Sequence, residues 1–282
     1  MSTFSKGKFN ASNYAKYRPV YPQSLYDTVI QYRNKHTTDP LKLIVDFGCG
    51  TGQATKELVK YGEKVVGVDP SEVMLNQARE EVPAKNVDFK QGNDKTLASL
   101  FAPSSVDLLT VAEAAHWFKY PEFWDQVAAM LKPGGLVAIW AYYTFSFVDY
   151  PVVGDIIMNY GEAENRCGPY WDPGHPILVE EYKPVVDSIP KDKFTNIYYH
   201  TNDNKQSRPE EHFELVKENV PVKAMIALLK TWSPYFNYMN ANPDKPDIAD
   251  LTMEEIHAKT GLNEDDLVTV KWNSITLLAT RK

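Results

Sequence analysis

The sequence is poor in cysteine and has no excess of positive charge. Its 282 residues include only two cysteines, Cys49 and Cys167, which is too few for a disulfide-stabilised secreted scaffold. Thirty Lys and Arg face 37 Asp and Glu, so the formal net charge is -7. A chain with this balance offers nucleic acid no general electrostatic attraction. We therefore expect a reducing compartment, the cytoplasm, and no nucleic-acid partner.

Long hydrophobic runs and metal-ligand patterns are also missing. The first ten residues lack the apolar segment of a signal peptide, and no later stretch approaches the roughly 20 apolar residues of a membrane span. The six histidines form no HxxxH motif and no Cys/His cluster with the spacing of metal ligands. The sequence therefore predicts a cytoplasmic protein with no membrane partner and no bound metal.

Short apolar segments alternate with helical segments in the first half of the chain. The run Leu41–Phe47 ends at a glycine and is typical of a strand that is buried on both faces. Further strands are predicted at Val65–Val68, Val87–Phe89, Val106–Ala112 and Leu136–Tyr142, and helices at Gln53–Tyr61, Ser71–Glu81 and Phe123–Leu131. This alternation predicts a parallel sheet covered by helices.

After Tyr142 the regular alternation ends, and proline, aromatic and charged residues become frequent. Helices are predicted at Val152–Tyr160, Ile177–Val186, Glu210–Asn219 and Val222–Trp232, and strands at Phe194–His200, Leu267–Trp272 and Ile275–Thr280. A bend is expected at Asn273 and Ser274. We predict one domain with a core at about 25–142 and 264–282, an arm at 1–24, and an inserted segment at 143–263 that forms most of a substrate cap.

The strongest motif is V-D-F-G-C-G-T-G-Q at Val45–Gln53, between the first strand and the first helix. Its glycines allow a tight turn, and the following helix presents unpaired N–H groups to a ligand. The dinucleotide fingerprint G-x-G-x-x-G would need a glycine at position 53, where this chain has Gln53. A nicotinamide-dependent oxidoreductase is therefore disfavoured. The spacing D-x-G-x-G-x-G from Asp46 to Gly52 resembles the signature of class I S-adenosylmethionine-dependent methyltransferases.

This resemblance implies a Rossmann-like fold, which is a doubly wound, mostly parallel sheet of seven strands with a helical cap. It also implies S-adenosylmethionine as cofactor and S-adenosylhomocysteine as product. Asp69, at the end of V-V-G-V-D-P-S, takes the place of the acidic residue that accepts hydrogen bonds from both ribose hydroxyls. Asp46 and the loop would hold the amino-acid end of the cofactor, and Met74 would pack beneath the adenine, although a plain core role for Met74 is equally open.

The predicted cofactor-binding residues lie on the glycine loop, the two following strand ends and the amino-terminal arm. They are Tyr14, Arg18, Asp46, Gly48, Cys49, Gly50, Gly52, Asp69, Pro70, Met74, Asn93, Asp94 and Glu113. Either Asn93 or Asp94 would meet the adenine edge.

A second constellation, V-A-E-A-A-H-W-F at Val111–Phe118, follows the fourth predicted strand. Strand ends of this kind border the ligand crevice in open α/β sheets, so Glu113, His116 and Trp117 are placed toward the cofactor. Glu113 and His116 are the candidate catalytic residues. A hydrogen-bonded structural role for His116 and simple packing for Trp117 remain open. The N/D-P-P-Y/F motif with which many N-methyltransferases hold a planar amine is absent.

Four further strings resemble a narrower family. They are A-E-A-A-H-W, Y-A-K-Y-R-P-V-Y-P at Tyr14–Pro22, G-P-Y-W at Gly168–Trp171 and T-W-S-P-Y at Thr231–Tyr235, and they are similar to fungal trans-aconitate methyltransferases and their cantharidin-detoxifying relatives. The resemblance implies that Tyr14 and Arg18 close over the cofactor, although R-P-V-Y-P could merely anchor the arm. The substrate pocket would be lined by His116, Trp117, Tyr142, Trp171 and Trp232.

The sequence thus predicts a methyltransferase for a small molecule, most simply a carboxylate that becomes a methyl ester. A carboxylate is ionised at neutral pH and needs no strong base. A polycarboxylate would need cationic partners, for which the predicted cap offers Arg166, His175, Lys183 and Arg208, alongside His116, Lys119 and Arg18. Two alternatives remain: a C- or O-methyltransferase of a quinone, sterol or secondary metabolite, and a non-catalytic regulator that binds the cofactor.

Overall fold

The computed structural model describes residues 18–202 and 214–282, and its strands form a mixed, mostly parallel sheet. The strands are β1 (Leu43–Phe47), β2 (Lys64–Asp69), β3 (Val87–Gln91), β4 (Val106–Ala112), β5 (Leu131–Phe147), β6 (Phe194–Thr201), β7 (Leu215–Pro221) and β8 (Leu267–Arg281). Their order is β3-β2-β1-β4-β5-β8-β6, and β7 pairs with β8. The predicted doubly wound fold is confirmed, although the described part of the chain contributes eight strands rather than seven.

Helices connect the parallel strands. The α-helices are α1 (Gln23–Asn34), α2 (Gln53–Leu58), α3 (Glu72–Glu81), α4 (Glu122–Met130), α5 (Val152–Glu162), α6 (His175–Val179), α7 (Lys183–Asp187), α8 (Val222–Leu229), α9 (Ser233–Ala241) and α10 (Ile248–Thr260). Short 3-10 turns occur at Leu97–Leu100, Ala115–Trp117 and Gly168–Tyr170. The predicted helices over α2, α3 and α4 are confirmed.

The order of strands at the centre of the sheet determines where a ligand can bind. β1 pairs in parallel with both β2 and β4, and its interior residues are completely buried. The chain therefore leaves β1 in one direction toward β2 and later returns on the other side to β4. In such sheets the ligand crevice lies at the carboxyl ends of the strands, at this reversal of strand order. The glycine loop follows β1 at that edge.

The predicted bend at Asn273 and Ser274 is wrong, because β8 runs through both residues without a break. The backbone N–H and the hydroxyl of Ser274 both donate to Asn202 Oδ1 at 2.9 Å. The side-chain amide of Asn273 donates to Thr144 Oγ1 at 3.3 Å. Asn and Ser are typical of turns, but here both side chains form hydrogen bonds with residues that are distant in the chain.

Two helix predictions in the second half of the chain also need correction. The helix expected at Glu210–Asn219 is wrong from Leu215 onward, because that part is β7 and pairs antiparallel with β8. Residues 210–213 lie outside the described part of the chain. The helix expected at Ile177–Val186 is split into α6 and α7 by Glu181 and Tyr182, whose φ angles of 52° and 62° are left-handed. The predicted strand Phe194–His200 is confirmed as β6.

The described chain divides into two compact units. The core unit comprises Val20–Tyr142, 176–202 and Ser274–Lys282, and the insert unit comprises 18–19, Tyr143–His175 and Glu214–Asn273. The segment 176–202 therefore groups with the core unit, although the sequence placed it in the inserted segment. Whether the inserted segment forms a substrate cap stays a prediction. None of the described helices is long and apolar enough to cross a membrane.

Candidate cofactor and acceptor site

The loop after β1 has a backbone that requires glycine at three positions. Gly48, Gly50 and Gly52 have φ angles of 73°, 54° and 84°, which side chains rarely adopt. At Gly48 space is missing too, since a Cβ atom would lie 2.4 Å from Ala114 Cβ. The N–H groups of Gly48 and Cys49 donate to the Val68 carbonyl at 2.7 and 3.1 Å. The loop is therefore held against β2 and the end of β4.

Asp69, the last residue of β2, connects this loop to the next turn. Its Oδ2 accepts a hydrogen bond from Gly50 N–H at 3.0 Å, and its Oδ1 accepts one from Ser71 N–H at 2.8 Å. Burial raises the pKa of the carboxyl group, and the two N–H donors oppose that rise. An ionised carboxylate has about four acceptor sites, so a vicinal diol can still be bound. Asp69 fits the ribose-binding role predicted from the sequence.

Asp46 on β1 is completely buried and has two hydroxyl partners. Thr55 Oγ1 donates to Oδ2 at 2.6 Å, and Thr110 Oγ1 donates to Oδ1 at 2.9 Å. Burial raises the pKa of this carboxyl group to about 6. Because the side chain has no exposed surface, we propose that Asp46 shapes the loop by joining β1, α2 and β4, instead of contacting the cofactor as the sequence suggested.

The predicted adenine-facing residues occupy the next turns. Met74 is buried in the first turn of α3, and its N–H donates to Ser71 Oγ, which caps the helix, at 3.4 Å. A Cβ atom on Gly50 would lie 3.8 Å from Met74 Cε, so Met74 packs close to the glycine loop. Both roles left open for Met74, core residue and adenine platform, are compatible with this place. The neighbouring Pro70 is exposed, whereas Cys49 is buried and burial raises the pKa of its thiol.

Asn93 and Asp94, which follow β3, differ in what their side chains bind. Asn93 Oδ1 accepts the N–H of Lys95 at 3.0 Å and so closes its own turn. Asp94 Oδ2 accepts the N–H of Lys119 at 3.2 Å, which joins this turn to the segment after β4. The exposed position of Asn93 leaves it the better placed of the two to meet an adenine edge, and this remains a proposal.

The end of β4 is fixed by Glu113. This residue has a left-handed φ of 55°, and its N–H donates to the Trp140 carbonyl at 3.0 Å. Its side-chain carboxylate accepts a hydrogen bond from the N–H of the buried Tyr142. Glu113 therefore connects the carboxyl ends of β4 and β5. The 3-10 turn Ala115–Trp117 follows it and carries the half-buried His116 and Trp117.

His116 has a long-range partner that no motif in the sequence indicates. The hydroxyl of Tyr182 lies 2.8 Å from His116 Nδ1, and the Tyr182 side chain is completely buried. Tyr182 is 66 residues away in the chain, in a segment that carries no motif. Like Asp46, to which Thr110 donates from 64 residues away, His116 is therefore held by a long-range hydrogen bond from another side chain.

The remaining predicted site residues belong to the insert unit or lie outside the described chain. In the insert unit, the Arg18 guanidinium donates to the Thr231 carbonyl at 3.4 Å, and Trp171 Nε1 donates to the Gly161 carbonyl at 2.7 Å. Trp232 is buried there, with its ring centroid 5.6 Å from that of Trp171. These contacts give Arg18 and the two tryptophans structural roles within their own unit. Tyr14 and Arg208 are not among the described residues.

Comparison with known proteins agrees with this geometry. Residues 45–139 match the family model described as a methyltransferase domain. A Saccharomyces cerevisiae protein, "Probable S-adenosylmethionine-dependent methyltransferase CRG1", is 29% identical over 294 residues, which span 100% of this chain and 99% of the relative. S-adenosylmethionine-dependent methyl transfer is the activity that these similarities support.

Two more similarities extend over nearly the whole chain. A Dictyostelium discoideum protein assigned as a methyltransferase is 28% identical, with 96% of this chain and 93% of the relative covered. A solved structure from Anaeromyxobacter dehalogenans, assigned as a type II methyltransferase, has a TM-score of 0.69 at 21% identity and covers 93% of this chain and 97% of its own. The latter shows a shared fold. Within the described residues, no group of three metal-ligating side chains comes together.

Proposed function

We propose that this methyltransferase transfers the methyl group to a carboxylate oxygen of a small, trans-aconitate-like organic acid. The products would be a methyl ester and S-adenosylhomocysteine. The observation that carries this proposal is the arrangement of Glu113. Its carboxylate is held by the N–H of Tyr142, so it acts as a fixed link between two strands. An acceptor that is already ionised needs no base from this position.

The cofactor, when bound, supplies a methyl group on a sulfonium, which a nucleophile attacks in line. The protein must then hold the two reactants in line and keep water away. Asp69, which is held beside the loop by Gly50 N–H, would accept hydrogen bonds from the ribose, and the glycine loop would bring backbone N–H groups close to the ligand. The 3-10 turn after β4 places His116 at the same edge of the sheet, where the acceptor would lie.

The sequence that follows β4 also bears on the type of acceptor. A planar amine is held in many N-methyltransferases by an N/D-P-P-Y/F motif, and this chain has A-E-A-A-H-W there. A carboxylate, with a reference pKa near 4, is ionised at neutral pH and attacks directly. In this reaction a bond forms between the carboxylate oxygen and the methyl carbon, and the bond between that carbon and sulfur breaks. No proton has to be removed.

Three of the four cations named for the predicted cap lie in the described chain, and all three are paired. Arg166 forms an ion pair with Glu255 at 2.6 Å, and His175 lies 2.9 Å from Glu162. Lys183 pairs with Asp187 on an exposed helix surface, where ion pairs contribute little. This pairing makes His116 the candidate partner for the acceptor carboxylate in preference to these three cations.

The experiment that tests the proposal is a methyl-transfer assay with labelled cofactor. Purified protein would be incubated with methyl-labelled S-adenosylmethionine and a panel of acids, phenols, quinols and amines. The expected result is a labelled, base-labile product from a polycarboxylate. The Asp69→Asn variant should lose transfer at limiting cofactor, whereas Glu72→Gln, which changes an exposed carboxylate on α3, should not.

Other outcomes would support the alternatives. A base-stable product from a quinol or phenol would replace the carboxylate proposal with a C- or O-methyltransferase of secondary metabolites. Cofactor binding by calorimetry, without transfer to any member of the panel, would favour a non-catalytic regulator.

A further inference from the structure

The contact between His116 and Tyr182 affects both the position of the imidazole ring and the nitrogen that carries its proton. The two side chains meet at 2.8 Å between Nδ1 and the hydroxyl oxygen, with ring centroids 6.0 Å apart. A neutral imidazole can carry its proton on either nitrogen, and the hydrogen bond at one nitrogen decides which. What the hydroxyl itself donates and accepts therefore determines the chemistry of His116.

Two backbone N–H groups act electrostatically on the Tyr182 oxygen. The N–H groups of Ala115 and His116, in the 3-10 turn, both interact with it and favour negative charge there. A phenol oxygen has two lone pairs and one proton. Because the two N–H groups favour negative charge on this oxygen, its lone pairs are best placed toward them and its O–H bond toward Nδ1, which lies 2.8 Å away.

Tyr182 also keeps its proton. Its side chain is completely buried, and burial raises the pKa of the hydroxyl well above the usual value, with the Glu113 charge acting in the same direction. The hydroxyl is therefore a donor throughout the neutral range.

The backbone around Tyr182 is shaped to deliver this hydroxyl. Glu181 and Tyr182 both have left-handed φ angles, a conformation that costs free energy in residues with side chains. The strained turn is supported by Tyr199, whose hydroxyl donates to the Glu181 carbonyl at 2.8 Å. The strained backbone between α6 and α7 is consistent with a need to place the Tyr182 hydroxyl at a defined position.

We infer that Tyr182 is a positioning residue that donates to His116 Nδ1 and so holds His116 as the neutral tautomer with its proton on Nε2. His116 is then a hydrogen-bond donor that orients the acceptor carboxylate, and it does not act as a base. This role of His116 rests on the proposed function, whereas the tautomer itself does not depend on any acceptor.

The first test is therefore made without substrate. ¹⁵N correlation spectra of the intact protein, with the His116 signals assigned by comparison with His116→Gln, report which ring nitrogen carries the proton. At about pH 8, above the usual imidazole pKa, we expect Nε2 to be protonated and Nδ1 to be an acceptor. A proton on Nδ1 would overturn the inference. Failure to find ester formation would leave this spectrum unchanged, so the two failures are distinguishable.

The second test uses variants and trans-aconitate as the probe. Tyr182→Phe should lower kcat/KM for the acceptor by about tenfold, the factor that corresponds to one uncharged hydrogen bond, while affinity for S-adenosylhomocysteine stays within about twofold. Tyr199→Phe removes the β6 hydroxyl that donates to the same turn without touching His116, and it should lower kcat/KM clearly less than Tyr182→Phe does. An equal loss of kcat/KM in the two variants would mean that Tyr182 has only a structural role.

Replacement of His116 itself separates the two nitrogens. The amide nitrogen of Gln stands near the place of Nε2, and that of Asn near the place of Nδ1, so His116→Gln should retain clearly more activity than His116→Asn. The opposite order would contradict an Nε2 donor. If Tyr182→Phe does not fold, the wild-type spectrum and the two His116 variants still show which nitrogen of His116 carries the proton.

Discussion

At the scale of single residues, two buried carboxylates organise the glycine loop in different ways. Asp69 is linked to the loop by backbone N–H groups and keeps acceptor capacity for a ligand. Asp46 lies inside the core and is bound by two threonine hydroxyls. We therefore expect Asp69 to control cofactor affinity and Asp46 to control stability, and the two effects can be measured separately.

Asp46→Asn tests the cost of burying a charge. The pKa of Asp46 is about 6 in the folded protein, compared with 3.8 for the free group. A raised pKa means that the stability contributed by the protonated form is complete below about pH 4 and is lost as pH rises through 6. The variant has no such loss. Its free energy of unfolding relative to wild type should therefore rise by about 2 kcal/mol between pH 4 and pH 7.

Urea unfolding of both proteins across this pH range measures the difference. A gap between variant and wild type that does not change with pH would show that Asp46 is not a buried titrating group.

Asp69→Asn tests ligand binding at the end of β2. The amide offers one acceptor oxygen in place of two charged ones, so it cannot hold the Gly50 N–H, the Ser71 N–H and a ribose diol together. We expect the Kd for S-adenosylhomocysteine to increase by about tenfold to a hundredfold, as measured by calorimetry. Glu72→Gln is the matched control. Unchanged affinity in Asp69→Asn would remove Asp69 from the cofactor site.

At the scale of elements, the loop between β1 and α2 combines left-handed backbone with a close contact. Gly48 needs both, since its φ is positive and a Cβ atom would collide with Ala114. Gly134 has a similar φ of 80°, but the atom nearest to an added Cβ would be Thr37 Cβ at 4.0 Å. This pair of glycines separates backbone strain from steric collision.

We expect Gly134→Ala to destabilise the protein by about 1–2 kcal/mol through the left-handed backbone alone. Gly48→Ala should cost at least as much and should also abolish detectable cofactor binding, because the loop must move away from β4. Chemical unfolding and calorimetry of the two variants give both numbers. Equal cofactor affinity in the two variants would mean that the loop tolerates this movement.

The parallel part of the sheet was predictable from local sequence, whereas the antiparallel part was not. β1, β2 and β4 are short, mostly apolar runs that alternate with helices along the chain, which is the local pattern of a parallel sheet. β7 carries Lys217 and Glu218 on an exposed stretch, and only its pairing with distant β8 makes it a strand. Ser274 is extended because Asn202 binds it, and nothing in the local sequence indicates that contact.

The candidate site shows the same division. The glycine loop could be found from its residue types and its place after a strand, and Asp69 from the resemblance to class I methyltransferases. Tyr182 could not be found, since it reaches His116 from 66 residues away and follows a turn without a motif.

At the scale of the whole molecule, the described chain forms two compact units, and the glycine loop, Asp69 and His116 all belong to the core unit. A ligand that binds only the folded state stabilises it by an amount that depends on its concentration. We therefore expect S-adenosylhomocysteine at a hundred times its Kd to raise the free energy of unfolding by about 2.7 kcal/mol.

Hydrogen exchange would locate this stabilisation. Protection by S-adenosylhomocysteine should be largest in peptides that contain Gly48–Gly52 and the turn after Asp69. Protection confined to peptides of the insert unit would contradict the placement of the cofactor.

The measurement that tests the central claim most directly is the identification of the methylated atom. The protein would be incubated with trans-aconitate and cofactor carrying a ¹³C-labelled methyl group, and the product would be examined by NMR. Our account predicts a labelled methyl carbon bonded to a carboxylate oxygen, in a product that base converts back to the acid. A labelled methyl group on carbon, or turnover that occurs only with phenols, quinols or amines, would contradict it.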